Sequence, residues 1–463
     1  MARQTCRPCR CHPCHPFHVK HGHRTHGAKF QQDRPREIRR GCSFTIFFQM
    51  VTRINQINTM RHYGDSIISR QARFVLLRQA GVPGLLLYVW ALTPYLLPTK
   101  RFADSYNHID NTAVLQLALI ATGTIYLVLT WHLYQRQFKS FLLRSPLRWF
   151  FAYTCLAFLS SLWSSDPLYS LASAHASLVC LLLCLMLCIR FEGRFVDLID
   201  WILWWGISMC CIRLVIYPER EWFNLQTWHG FSVYATAPLI FLGLLDWNRF
   251  KWRFAFMLFL AIIATSAKVY IGILAGFVVC AFLSRHKVIK VVAILSVCAV
   301  LLSVLASHIT YEGFARILFA GRDESVIETA SGRTVVWPMF MEMVFKSPIL
   351  GYGFAMAEKI AYQQFDFYFD SSHNVFLTAM LYSGIGGCVL MCLFWYDLFH
   401  SLLRHRKSHG AVILLMCLIV SFSFTLFDQG LGNKVMLTWI AQAFLCGVVV
   451  QWLSTSDRDV GRN

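Results

Sequence analysis

Long apolar runs, broken mostly by short loops, restrict this chain more than any other feature. Twelve stretches, near 79–98, 113–134, 149–164, 171–189, 196–217, 231–247, 252–266, 269–284, 288–307, 374–397, 411–428 and 434–453, approach the length of a membrane span. A helix needs roughly 20 apolar residues to cross a bilayer. Composition agrees: 56% of residues are hydrophobic and only 14% charged, with a mean hydropathy of +0.49, whereas soluble domains average about 25% charged. The expected fold class is all-α, a polytopic membrane helix bundle of about 12 transmembrane helices. The pair at 252–284 is interrupted by "ATSAK".

Charge orients the spans. The formal net charge is +19, much of it in residues 1–72, and the rest gathers in short loops. Arg136, Lys139, Arg144 and Arg148 form one cluster, Arg190 and Arg194 a second, and Arg249, Lys251 and Arg253 a third. Arg285, Lys287 and Lys290 form a fourth, and Arg404, Arg406 and Lys407 a fifth. Basic loops stay on the cytoplasmic side, and all five clusters share that side if both termini are cytoplasmic. Basicity of this kind points to a membrane and not to nucleic acid. Most of the 17 cysteines lie inside apolar runs, where they act as small hydrophobes and not as a disulfide framework.

Residues 1–72 stand apart as a basic extension rich in Cys and His. Cys6, Cys9, Cys11 and Cys14 lie among six histidines, ligand types that zinc accepts. The segment has almost no apolar residues to fold around a metal, so no metal site is expected. It reads as disordered or as sequence upstream of a mis-called start, with Met50 or Met60 the expected first residue. The membrane domain is expected to run from 73 to 457.

That topology leaves one large extracytoplasmic loop, 308–373. Within it Ser331 is placed to cap a helix. Val335, Val336, Met339, Phe340, Met343 and Val344 then recur at helical spacing, and Pro348 with a glycine-rich turn ends the run. An amphipathic helix lying over the bundle is expected there.

Several polar residues have chemistry to offer. Arg322 and Arg333 carry guanidinium forks suited to phosphate oxygens, although pairing with Asp323, Glu324 and Glu328 would be the plainer use. Lys268 sits at the break between two apolar runs, where an ammonium calls for a polar cavity or the interface. Arg213, near the end of its span, has the same two readings. His373 and Asn374 open the next span. A helix start is positive and bears free N–H groups, a place that favours an uncharged ring able to accept a proton and that attracts anions. A lone histidine there would equally be a cap or an interfacial anchor.

These stretches together are recognisable. "GRDES", "SGRTVVW", "SPILGYGFA" and "SSHNVFLTAMLYSGIGG", with "LSSLWSSDPLYSL" at 159–171 and "ATSAK" at 264–268, resemble the O-antigen ligase/polymerase family, especially its exopolysaccharide-polymerase-like branch. The segment "EWFNLQTWHGFSVYA" matches the family only loosely. The resemblance implies a glycosyltransferase of the bacterial inner membrane. Its donor would be an undecaprenyl-diphosphate-linked oligosaccharide at the outer face, and its acceptor a polysaccharide or lipid A core sugar. Neither nucleotide sugar nor metal nor other cofactor is implied, and further polysaccharide assembly proteins are possible partners. Arg322 and Arg333 would bind the donor diphosphate and His373 would be the catalytic base. Lys268, Arg213, Asn374 and Trp163 would line the substrate cavity. Two alternatives stay open: a protein O-oligosaccharyltransferase of the same family, and a non-enzymatic transporter of polysaccharide or lipid-linked glycan.

Overall fold

The computed structural model describes residues 80–93, 111–144, 146–216, 235–263, 267–283, 294, 333–365, 372–427, 431–432 and 435–460. At a few of these positions, Arg213, Lys268 and Arg333 among them, only the backbone is described. All of them belong to the unit Asp65–Asn463. Arg322, Ser331, the Cys/His-rich extension and, apart from residue 294, the expected span at 288–307 lie outside the described residues.

Among the described residues there are helices and turns and no strands. In chain order the α-helices are α1 (Ala80–Thr93), α2 (Asn111–Arg144), α3 (Leu147–Leu159), α4 (Pro167–Arg190), α5 (Phe195–Ile216), α6 (Trp247–Ile263), α7 (Ala267–Leu283), α8 (Arg333–Lys346), α9 (Ala357–Phe365), α10 (Val375–Arg404), α11 (His409–Phe427) and α12 (Leu437–Val460). Six of them, α2, α4, α5, α10, α11 and α12, are long and apolar enough to cross a membrane. Their lengths follow from sequence: uninterrupted apolar residues with no proline inside.

The other expected spans take different forms. The stretch at 149–164 divides into α3 and a 3-10 turn, Ser160–Trp163, and Ala237–Leu244 is a 3-10 helix beginning with Pro238 in its first turn. Helices α6 and α7 have 17 residues each. The described residues thus support six full-length spans where the sequence suggested about twelve.

Helix α12 is the axis of the bundle, with 94% of its apolar window buried, while α2 has only 17% buried. Leu117, Ile125, Val128, Leu129 and Leu133 of α2 are exposed, a contiguous apolar face of the sort that lipid covers. Thiols pack where backbones run close: a Cβ on Gly447 would lie 2.5 Å from the Cys188 Sγ.

The expected helix in the large loop is present as α8. Val336, Phe340, Met343 and Val344 are buried, as their spacing requires, and Met341 and Phe345 point outward beside an exposed Glu342–Lys346 ion pair at 2.8 Å. Its outer face is therefore mixed and not simply polar.

Helix α10 bends at a Ser-Gly pair, one of the few sequence causes of a sharp kink. Ser383 has φ −138° and Gly384 has φ +65° with ψ −162°, a region that residues with a Cβ avoid. The freed backbone groups bond to the segment after α8: Tyr352 N donates to Leu381 O (2.7 Å), Gly353 N to Tyr382 O (3.1 Å) and Ile385 N to Pro348 O (2.9 Å). A Cβ on Gly384 would lie 1.9 Å from Ile349 O. Gly384→Ala should therefore prevent accumulation of the folded protein in membranes. Gly386→Ala, whose Cβ would meet only Leu156 Cδ2 at 3.4 Å, should behave as wild type. Size-exclusion profiles of detergent extracts would distinguish the two.

Candidate active site

Four segments far apart in sequence converge around the bend in α10. Along a helix at about 1.5 Å per residue, the bend lies roughly 13 Å from the start of α10, so the "PILGYGF" segment reaches down beside the helix and does not merely roof it. Its left-handed positions, Gly351 at φ +67°, Gly353 at φ +99° and Ala355 at φ +63°, make the tight reversal possible. Ser347 Oγ donates to Gly351 O (2.8 Å) and Tyr352 Oη to Met343 O (2.9 Å), tying the turn to the end of α8. Burial raises the Tyr352 phenol above its ordinary value, which keeps it a donor.

The early signature at 159–171 holds the other side of the turn. Trp163 Nε1 donates to Leu350 O (2.8 Å), Phe354 N to Ser160 Oγ (2.9 Å) and Ser170 Oγ to Phe354 O (2.9 Å). Ser164 and Ser170 share a 2.7 Å hydrogen bond, and a Cβ on Gly353 would lie 2.6 Å from that of Ser164. Asp166 caps α4 by accepting from Tyr169 N (3.3 Å), with Pro167 in the first helical turn, and its second oxygen meets Lys359 Nζ at 3.4 Å. On the inner side of α9 the buried Glu358 accepts a 2.6 Å bond from Tyr382, the residue just before the bend.

His373 is half-buried and left-handed, with φ +51°. A residue with a Cβ held there is strained and persists only where its neighbours impose it. The neighbours can be named. Ser372 Oγ donates to Asn374 O (2.9 Å) and is in contact with Thr378 Oγ1. Asn374 is the N-cap of α10: its Oδ1 accepts from Leu377 N (3.0 Å), while its Nδ2 donates to Leu426 O at the end of α11 (3.2 Å). Trp337 Nε1 donates to Ser372 O (2.9 Å), fixing the peptide that leads into His373 against α8.

This last bond relates Arg333 to His373. Arg333 opens α8 four residues, about one turn, before Trp337, and residues four apart share a helix face. The bond from Trp337 therefore sets the first turn of α8 beside the His373 turn. Lys268 joins the same end through α7. Gly272, one turn after Lys268, packs on Ser423 of α11, whose Oγ a Cβ would meet at 2.8 Å, and Ser423 lies one turn before Leu426. Arg213 is in the last turn of α5, which returns from the opposite end of the bundle, where Asp197 and Asp200 meet Arg249 at 2.7 and 3.1 Å.

The structure thus brings the backbone positions of Arg333, Lys268 and Arg213 to the His373 end. Trp163 and Asn374, expected along the substrate cavity, have their hydrogen-bonding groups engaged by the protein itself. Sequence reading passed over Trp337, Glu358 and Tyr382. An acid in the turn after "LGYGF" and an indole four residues after Arg333 were the available signs.

A polytopic helical membrane protein with the backbone positions of its candidate site residues gathered at one end is the class that fold and site define. Residues 252–392 match the family model of O-antigen ligase, so this stretch of the chain is similar to that family. The match takes in Lys268, Arg322, Arg333, His373 and Asn374, while Trp163 and Arg213 precede it. The chain is also similar to the ComP-specific O-oligosaccharyltransferase of Acinetobacter baylyi, 27% identical over 130 residues. That alignment covers 26% of this chain and 22% of the relative, so it spans less than a quarter of the relative's length.

Trp337→Phe removes one donor and leaves the Ser372 carbonyl unpaired, a loss of about 1–3 kcal/mol for a buried group. The expected result is a lower thermal-unfolding midpoint in detergent, with assembly in the membrane retained.

Proposed function

We propose that this protein transfers glycan from a lipid-diphosphate donor, undecaprenyl diphosphate in a bacterial inner membrane, to a sugar hydroxyl at the outer face. The observation that carries the reading is the Trp337–Ser372 hydrogen bond, because it joins the helix that starts at Arg333 to the strained turn that holds His373. The helix start that carries an arginine suited to phosphate is thereby set beside the turn that carries a ring suited to a hydroxyl proton.

The chemistry follows from that placement. Arg333 and Arg322 bind the diphosphate oxygens and spread the negative charge that grows as the anomeric C–O bond breaks, the electrostatic term that is usually largest in such reactions. His373 accepts the proton of the acceptor hydroxyl while its oxygen bonds to the anomeric carbon. The electron pair of the broken bond leaves on the diphosphate, and a single displacement inverts the anomeric centre. Lys268 and Arg213 add positive charge to the donor end. Trp163 and Asn374 hold the turn and the helix start in register. The exposed Ile349 and Leu350 of the descending turn offer apolar surface to a polyprenyl tail.

The basic clusters support an orientation with both termini cytoplasmic. Those that are described, around Arg136, Arg190, Arg249 and Arg404, lie at the bundle end opposite His373. A polymer or lipid A core sugar is the acceptor proposed here. The partial likeness to a named O-oligosaccharyltransferase makes a protein acceptor the second reading.

His373→Ala should lower glycan transfer about 10²–10⁴-fold, the usual contribution of a general base, while the protein reaches the membrane at wild-type level. Unchanged transfer of labelled glycan by that purified variant would remove His373 from the base role, and no transfer by wild type would favour a carrier. In a deletion strain, single repeat units left on the lipid carrier would indicate a polymerase and long chains a ligase.

A further inference from the structure

The end of the bundle opposite His373 contains a cavity of about 700 Å³ that the reaction does not use. It opens between the C-terminal turns of α2, α10 and α12 and the turns that flank α3 and α4, and its polar wall comprises Arg136, Arg148, Glu192, Asp397, Arg404 and His405. Asp397 is engaged within this wall, accepting from Arg148 Nη2 and Trp149 Nε1, both at 3.2 Å. Arg404 donates Nε to His400 Nε2 at 2.9 Å, and among the described residues neither Arg404 nor Arg136 has a carboxylate partner. Two exposed guanidiniums from different helices therefore line one cleft with no acid of their own.

Charge, depth and apolar surroundings narrow the ligand. Three arginines against two carboxylates suit a single phosphodiester and are too few for the polyphosphate of a nucleotide. The cleft lies where α2, α10 and α12 run out of apolar sequence, the headgroup level of a bilayer, and basic pockets between spans on the cytoplasmic side take lipid headgroups. Phe141, Val450 and Leu453 form its apolar part, and Leu143 and Leu403, next in sequence to Arg144 and Arg404, are exposed on the flanking helices.

We infer that this cleft binds one phospholipid of the adjoining leaflet, cytoplasmic by the charge rule, with its phosphodiester held between Arg136 and Arg404. Arg148 with Asp397 ties the start of α3 to α10 along one wall of the cleft. The acyl chains run along the exposed apolar face of α2. The bound lipid would fill the cleft between these helix ends. This site is independent of the glycan-transfer reading and stands if that reading fails.

The test uses the full chain, purified in mild detergent and washed, with retained phospholipid measured by native mass spectrometry. Wild type should keep one phospholipid. The double variant R136Q/R404Q should keep about thirty-fold less, the loss expected for two basic contacts at a membrane surface. Arg406→Gln, from the same helix end but outside the cleft, should match wild type. A second measurement needs no variant: short-chain phospholipid should raise the unfolding midpoint of the washed protein, and excess inorganic phosphate should not. Equal retention by wild type and the double variant would overturn the assignment, as would equal stabilisation by inorganic phosphate, which would mark a free-anion site.

Discussion

The three backbone bonds that join the 348–353 segment to the bend of α10 are the constraint on which the rest of the site depends. A helix interrupted inside a bilayer exposes N–H and C=O groups that lipid cannot satisfy. Here Leu381 O, Tyr382 O and Ile385 N find partners in Tyr352, Gly353 and Pro348. Neither half is tenable alone: the bend needs the turn's backbone, and the turn needs a helix that stops bonding to itself. Glycine at 351, 353 and 384 is required because these backbones approach closer than a Cβ permits.

From that junction the other parts take their places. The early signature grips the turn through Trp163, Ser160 and Ser170, so a motif nearly 200 residues upstream of the turn is structural support for it. Glu358 and Tyr382 fasten α9 to the bend from inside. Helix α8 is held at its end by Tyr352 and near its start by Trp337. The left-handed His373 is the outcome: a strained residue made possible by a capped helix on one side and an anchored helix on the other.

The two ends of the bundle have opposite characters. At one end strained backbone and glycine turns hold the His373 turn and the 348–355 segment against α10. At the other, arginines pair across helices, with Arg249 and Arg253 on Asp197 and Asp200 and Arg148 on Asp397. Such pairs are partly exposed and individually worth little, and they lie next to buried Leu147, Leu198 and Phe250 at the same helix ends.

The sequence by itself determined the helical class, the buried face of α8 and the start of α10 after His373, because these depend on apolar periodicity and capping within one segment. It also pointed to His373, Arg333 and Lys268 through the order of motifs. Tertiary structure alone decided that α10 bends at Ser383–Gly384, that 237–244 tightens into a 3-10 helix, and that Trp163 and Asn374 spend their hydrogen bonds inside the protein. It likewise revealed Trp337 as the tie between the arginine helix and the histidine turn. Those features rest on hydrogen bonds between segments tens to hundreds of residues apart, and no local pattern records which distant carbonyl a donor will meet.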